Sequence, residues 1–512
     1  MLGRGTRVGL LLLLAVAPAS SPRPARGELV YFRAGGEVQL PVEKEGDTIR
    51  LLRPGGPVVF RSEDVARIVP GHWPAREWPA LRDKALAGDA SSRYRACWWA
   101  LERGLTPEAV ALLRSSHEAD PDLEPVARMV AMLDRLDRPG PEPDLGPLRA
   151  VLPEGEFSIS RRGRLVLLHQ HSQAEADERL ALLDRVLTTF YLTFTALGFD
   201  LRTPPEPLVS VWFAEEADYL SYLRREAGDA FLTTRGYYHP TRRVVFVYDG
   251  RSREDHRDAE QSHRARIDEL DRAQAELDRS PPGARIRLAI AGEPPRTLDL
   301  EEAAEVIDRL RRDSAREALL RELNRERVDR GAAVHELVHQ LVLASGLAPG
   351  YDRFPVWLHE GIAMQFEAFR GSEWAGLGEI PGHRLDHWRR LGGPPALLPL
   401  IRDEGFGRGY APDRYAAAWA LVHYLRTEHP GRFVSFLDRL RNPSLGVPDR
   451  AETAFRTAVA SDLSDFRASW VAHLSGLRTP IEESRPAEPA KAPAPRGRRR
   501  RRRLPRRVNL VD

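Results

Sequence analysis

Cys97 is the single cysteine among 512 residues, so no disulfide can close within the chain. Beside Trp98 and Trp99 in a helical stretch, it reads as a buried and inert thiol. No cysteine stands at the cleavage region after the N-terminal apolar run, which argues against a lipoprotein. Long hydrophobic runs are missing as well. The stretch Val8 to Val16 is too short to span a bilayer comfortably, and no later segment is apolar enough. With the basic start MLGRGTR before it and the A-x-A site Ala17-Pro18-Ala19 after it, residues 1–27 read as a secretory signal peptide. The expected location is therefore exported: periplasmic, cell-envelope or extracellular. An exported chain without disulfides must stand on its own core or on a metal. At 42% hydrophobic residues, most of the chain should fold.

The formal net charge of +3 hides an asymmetry. From Pro480 to Asp512 there are eleven Arg/Lys and four Asp/Glu, a net of +7, which leaves −4 on everything else. The tail over 478–512 is rich in Pro and Ala and carries six consecutive arginines, so it is expected to be disordered. An anionic envelope polymer or lipid is its expected partner, ahead of nucleic acid.

Between these ends the pattern changes several times. Residues 28–70 alternate apolar and polar between Gly-containing turns, which predicts a small β meander or barrel. Residues 75–138 turn helical, and RGLTPEA and ADPDLEPVAR resemble tetratricopeptide-type repeats, about one and a half of them, short of a free-standing solenoid. Past a Pro/Gly linker at 139–147, residues 150–476 alternate strands and helices. Strands are expected at Leu165–His169 and Leu208–Phe213, a long helix at Gln173 to Ala196, and a hairpin whose second strand is Val244 to Tyr248. Residues 252–325 form a highly charged insertion, expected as two solvated helices, about 254–279 and 301–324, flanking a hairpin.

The chemistry sits in HELVH, residues 335–339. On a helix, His335 and His339 lie one turn apart on one face, where two imidazoles can grip one Zn²⁺. Glu336 beside them can take a proton from a water polarised by that metal. Val334, Leu337, Val338, Leu341 and Val342 give this helix a buried side, and Ser345-Gly346 stops it. The five residues alone equally describe an amphipathic helix with an ion-pairing Glu, so a third ligand has to be found. The stretch PVWLHEGIAMQFEAF (355–369) starts a second helix at Pro355 with Glu360 inside it, and the intervening residues allow an antiparallel return to the histidines. Gly361 should permit close approach to the first helix, and His359 should be exposed.

HELVHQ followed by WLHEGIA resembles the gluzincin metallopeptidases, in the WxxEG form of the exported bacterial peptidase MA-like proteins. The resemblance implies an α+β catalytic domain, Zn²⁺ held by His335, His339 and Glu360, Glu336 as general base, and a peptide or protein substrate held by β-augmentation, a role assigned to Val244–Tyr248. A Tyr opening the helix YAPDRYAAAWALVHYLR (410–426) resembles the phenol that supports the oxyanion in several gluzincins. Tyr415 is the first choice and Tyr410 the second, with His423 expected in the interior. The GxMEN-like stretch by which aminopeptidase-type gluzincins read a free amine is absent, which favours an endopeptidase. The alternative is a catalytically silent, zinc-stabilised envelope scaffold, for which an intact Glu336 would be superfluous.

Overall fold

A computed structural model describes residues 27–484, apart from residues 54, 71–72, 291–293, 392–395, 407–410 and 443–449. Residues 1–26 of the expected signal segment, Tyr410 and residues 485–512 of the tail lie outside the described residues. The fold is mixed α+β, built from several small sheets among many helices.

The chain begins with strands β1 (Gly27–Phe32), β2 (Glu37–Glu45), β3 (Thr48–Leu51), β4 (Val58–Arg61) and β5 (Val65–Pro70). They pair antiparallel in the order β4-β3-β2-β1-β5. Helices α1 (Pro74–Leu86), α2 (Ala90–Glu102), α3 (Thr106–Ala119) and α4 (Glu124–Leu136) follow, each packed on the next. Cys97 is fully buried in their shared core, and burial pushes its thiol up to about 12.

After a short turn, α5 (Gly146–Arg149), come β6 (Ser158–Arg162), β7 (Leu165–His169), α6 (Gln173–Ala196), β8 (Leu208–Phe213), α7 (Glu216–Glu226), β9 (Gly236–His239) and β10 (Val244–Tyr248). The five strands form one sheet, β6-β7-β8-β10-β9, with β7, β8 and β10 parallel and the outer two antiparallel. The three parallel strands are buried at every position. Alternate residues explain this. Leu165, Leu167, Trp212, Val245 and Val247 face α6 and the main core, while Val166, Leu168, Val211, Phe213 and Phe246 face Tyr219, Tyr222 and Leu223 of α7. The expected β-augmentation role of Val244–Tyr248 needs an edge strand, and that is thereby corrected. β10 lies between β8 and β9, so its hydrogen-bonding groups are taken on both sides, and the edge is β9.

The charged insertion holds α8 (Glu254–Arg279), a hairpin of β11 (Arg285–Leu288) and β12 (Arg296–Asp299), and then α9 (Leu300–Ala344). Asp299 opens α9, its carboxylate accepting from the Glu302 N–H in a capping box. Here the structure departs from two separate helices. The insertion's second helix runs unbroken for 45 residues and ends as the HELVH helix, about 67 Å in all. Its first turns pack Ala303, Ile307 and Leu310 against Leu270 and Leu277 of α8 and the hairpin. Its middle sends Leu319, Leu320 and Leu323 into the core of the N-terminal sheet, where Arg312 also bonds Glu63 and Asp64 at 2.7 and 2.6 Å. The insertion is therefore docked along one side rather than a plain solvent-facing arm.

The rest is helical: α10 (Val356–Met364), a small hairpin of β13 (Phe369–Arg370) and β14 (Glu373–Trp374), α11 (Gly382–Arg390), α12 (Leu397–Ile401), α13 (Pro412–Glu428), α14 (Pro430–Arg441), α15 (Arg450–Ala458), α16 (Leu463–Gly476) and α17 (Pro480–Ser484). Order thus extends past residue 478, where a disordered tail was expected to begin. Glu482 pairs with Arg389, and Tyr31 donates to the Ile481 carbonyl at 3.2 Å. Among the described residues no helix is long and apolar enough to cross a membrane.

Candidate metal centre

The last turns of α9 are held rigidly. Val334, Leu337, Val338, Leu341 and Val342 are fully buried. Gln340, next to His339, donates to the backbone carbonyls of Val209 and Arg243 at 3.3 and 2.7 Å and so ties the helix to the sheet. Gly346 ends it at φ +70°, the left-handed region. The N-terminus of α10 is fixed by Asp403, whose carboxylate accepts from the Val356 and Trp357 N–H groups at 2.7 and 2.9 Å. That leaves Glu360 one turn in, facing α9.

His335, His339 and Glu360 meet. The two Nε2 atoms are 3.0 Å apart, His335 Nε2 is 3.0 Å from Glu360 Oε2, and His339 Nε2 is 3.6 Å from Glu360 Oε1. Three atoms bound tetrahedrally at about 2.0–2.1 Å would sit about 3.3 Å apart. The donor set fits a divalent cation on charge as well. Among the described residues no Lys or Arg forms an ion pair with Glu336 or Glu360, so two carboxylates share the site with two imidazoles. Burial raises the Glu336 carboxyl, with Glu360 adding to it and His335 and His339 opposing. Burial works to raise Glu360 too, but the two imidazoles overcome it and hold that carboxyl low.

The sequence reading missed Glu367, in the turn that follows α10. Its Oε1 accepts from His335 Nδ1 at 2.7 Å, which fixes the ring with Nε2 turned inward. Glu367 is itself anchored by Arg384 of α11, through Nε at 2.9 Å and Nη2 at 3.0 Å, and lies 3.4 Å from His383 Nε2. Burial would raise this carboxyl, and Arg384 with the two imidazoles overrides it and holds it well below the usual range. The sequence signal is a lone acid in the apolar run AMQFEAF, since an unpaired charge is not buried in such a setting.

Other expectations are corrected. His359 is buried, not exposed; its Nε2–H donates to the Tyr351 carbonyl at 3.1 Å, and burial lowers it to about 4. Gly361 makes its close approach to α13 rather than to α9: a Cβ there would meet Val422 Cγ2 at 2.4 Å and the Ala418 carbonyl at 2.8 Å. α10 also stops at Met364, so the stretch 355–369 is helical only in its first part. His423 is interior, as expected.

A cleft of about 430 Å³ opens over the cluster. One wall is β9 with Arg235 before it, the floor is α9, and Tyr351, His383, Arg384 and Tyr415 close the far side. Tyr415, half-buried in the first turn of α13, thus reaches the same cleft as His335, Glu336, His339 and Glu360. A larger groove of about 960 Å³ adjoins it and shares Tyr238 and Tyr351, but holds none of the three ligand candidates. Residues 331–444 match the family described as "Protein of unknown function (DUF1570)". That span runs from just before HELVH through α14 and takes in every residue of the cluster. Neither a curated protein nor a solved structure matches the chain.

Proposed function

We propose that the chain is an exported zinc-dependent peptidase of gluzincin type, acting as an endopeptidase. The observation that carries this reading is the convergence of His335, His339 and Glu360 beside Glu336, which no Lys or Arg neutralises and which accepts from the Tyr238 N–H, on the floor of an open cleft. Bound there, Zn²⁺ would polarise the scissile carbonyl and acidify the attacking water. Glu336 takes the proton from that water and passes it to the leaving amine, the dual role that its raised affinity for protons suits. Glu367 keeps His335 in the tautomer whose Nε2 lone pair faces inward. β9, the sheet edge lining the cleft, is the strand proposed to pair with an extended peptide, with its Tyr238 N–H already given to Glu336; it takes the role assigned earlier to Val244–Tyr248. Tyr415 is the donor proposed for the developing oxyanion. The Arg-rich tail is proposed to hold the enzyme to anionic envelope polymer or lipid.

The test pairs two variants. Glu336→Gln should keep stoichiometric zinc and lose hydrolysis of a peptide library, whereas Glu360→Ala should lose zinc. Stoichiometric zinc in Glu360→Ala would sink the ligand assignment, and a zinc-replete wild type that cleaves nothing in the library would sink the peptidase reading.

A further inference from the structure

Three arginines line the cleft, and two have carboxylate partners. Arg235 faces Asp329 at 3.6 Å, and Arg384 holds Glu367. Arg327 is placed differently. Its Nη2 donates to Asn324 Oδ1 at 2.8 Å on its own helix, and its Nη1 donates to His383 Nδ1 at 3.2 Å. Both partners are neutral, because His383, with Nδ1 accepting, carries its proton on Nε2 toward Glu367. Glu367 attracts Arg327 through space but does not contact it: Arg384 bonds both of its oxygens and His335 one of them again. Among the described residues no carboxylate pairs with Arg327. A half-buried guanidinium at the end of a cleft thus has no carboxylate in direct contact, and Glu367 reaches it only through space, in competition with Arg384.

The floor between Arg327 and the reacting centre is clear. The cleft face of α9 runs Arg327, Val328, Gly331, Ala332, His335, Glu336. A Cβ at Gly331 would meet nothing within 4 Å, so the helix presents a shallow trough there. The eight residue steps from Arg327 to His335 span about 12 Å of helix axis. An extended peptide advances about 3.3 Å per residue, so a chain lying in the trough reaches Arg327 roughly three or four residues from the bond at the metal centre.

Resting on the peptidase reading, we propose that Arg327 determines specificity by binding a carboxylate of the substrate, so that the preferred substrates are peptides with an acidic group about three or four residues from the scissile bond. The guanidinium fork suits a carboxylate, and His383 and Asn324 hold it in place without spending its charge. The group is either an Asp/Glu side chain within the peptide or a free C-terminal carboxylate, and one experiment separates them.

Binding is read without turnover, in the full-length zinc-loaded Glu336→Gln protein, by fluorescence anisotropy of labelled decapeptides with randomised uncharged positions. One pair carries an internal Glu or Gln with the C-terminus amidated; the other lacks acidic residues and ends in a free acid or an amide. In at least one pair the acid should bind about tenfold or more tighter than its amide, and that pair names the source. Adding Arg327→Gln should abolish the difference, with stoichiometric zinc reporting that the double variant is folded, and Arg327→Lys should retain part of it. Equal affinity within both pairs, no binding of either, or a preference that survives Arg327→Gln in a zinc-replete protein overturns the inference. Hydrolysis by the wild type is scored separately: a preference that depends on Arg327 in a protein that cleaves nothing would refute the peptidase reading and leave the carboxylate site standing.

Discussion

Gly236→Ala is the sharpest perturbation of the proposed base. Gly236 begins the edge strand β9, and a Cβ built there would lie 2.7 Å from Glu336 Cγ, 3.0 Å from Val247 Cγ1 and 3.4 Å from Glu336 Oε1. Ordinary carbon contacts fall near 3.5–4.0 Å, so about 1 Å of clearance must be found. The helix cannot supply it, because Val334, Leu337 and Val338 are fully buried around Glu336 and Gln340 ties the next turn to the sheet. The Glu336 side chain has to swing instead, since the atoms nearest the new methyl group belong to Glu336 and Val247 and not to His335, His339 or Glu360. A displacement of about 1 Å in a catalytic group costs on the order of 100-fold, or about 2.7 kcal/mol of barrier. The expected outcome is therefore a protein with full zinc and a nearly unchanged urea midpoint, whose kcat/KM on peptides falls about 100-fold. Wild-type kcat/KM would refute the placement of Glu336 against β9. Loss of zinc would show that the methyl group disturbs the ligands, contrary to the argument.

Three further outcomes follow from the same geometry. Glu367→Gln should weaken zinc affinity roughly 10–100-fold in competition with a chromophoric chelator, and unchanged affinity would mean that the Nδ1 bond to His335 does not tune the site. Gly361→Ala forces α10 away from Val422 and Ala418 and should cost about 1–3 kcal/mol in urea unfolding; a midpoint equal to wild type would count against this packing. Burial, with Arg426 and His473 alongside, lowers His423 to about 3, whereas an exposed imidazole titrates near ~6.5. Between those values the unfolded chain carries a proton that the folded chain refuses, so stability falls as pH drops from about 6.5 toward 3, by up to about 1.4 kcal/mol per pH unit. His423→Leu should flatten that part of the stability–pH curve, and parallel curves for the two proteins would disprove it.

The four residues of HELVH and WLHEG were legible because their spacing is local. One helical turn sets His335 against His339, and a short return brings Glu360 back to them. β7, β8 and α6 were legible to the residue because each has a clean period and clear stops. What failed was information held by neighbours. The unbroken apolar run VVFVY was already the mark of a strand covered on both faces, yet strand order is set by crossovers that no window of sequence displays. α9 read as two helices because its partners change along its length, from α8 to the N-terminal sheet to the main core, and its polarity pattern changes with them. Arg384 lies 17 residues beyond Glu367 and Gly361 meets residues 57 and 61 positions later, so neither contact leaves a local trace.

The continuity of α9 bears on how this protein can be taken apart. A fragment cut at residue 150, where the sequence invites a boundary, would keep the histidines but strip the N-terminal sheet from Leu319, Leu320 and Leu323. Those side chains would then form a bare apolar stripe on the very helix that ends in the metal site, an invitation to aggregation. Excising 252–325 instead would sever that helix mid-span and remove the capping box at Asp299 from which it starts. Neither the sheet nor the insertion is a detachable accessory: the proposed active centre is one end of a beam whose other supports are the parts that look dispensable.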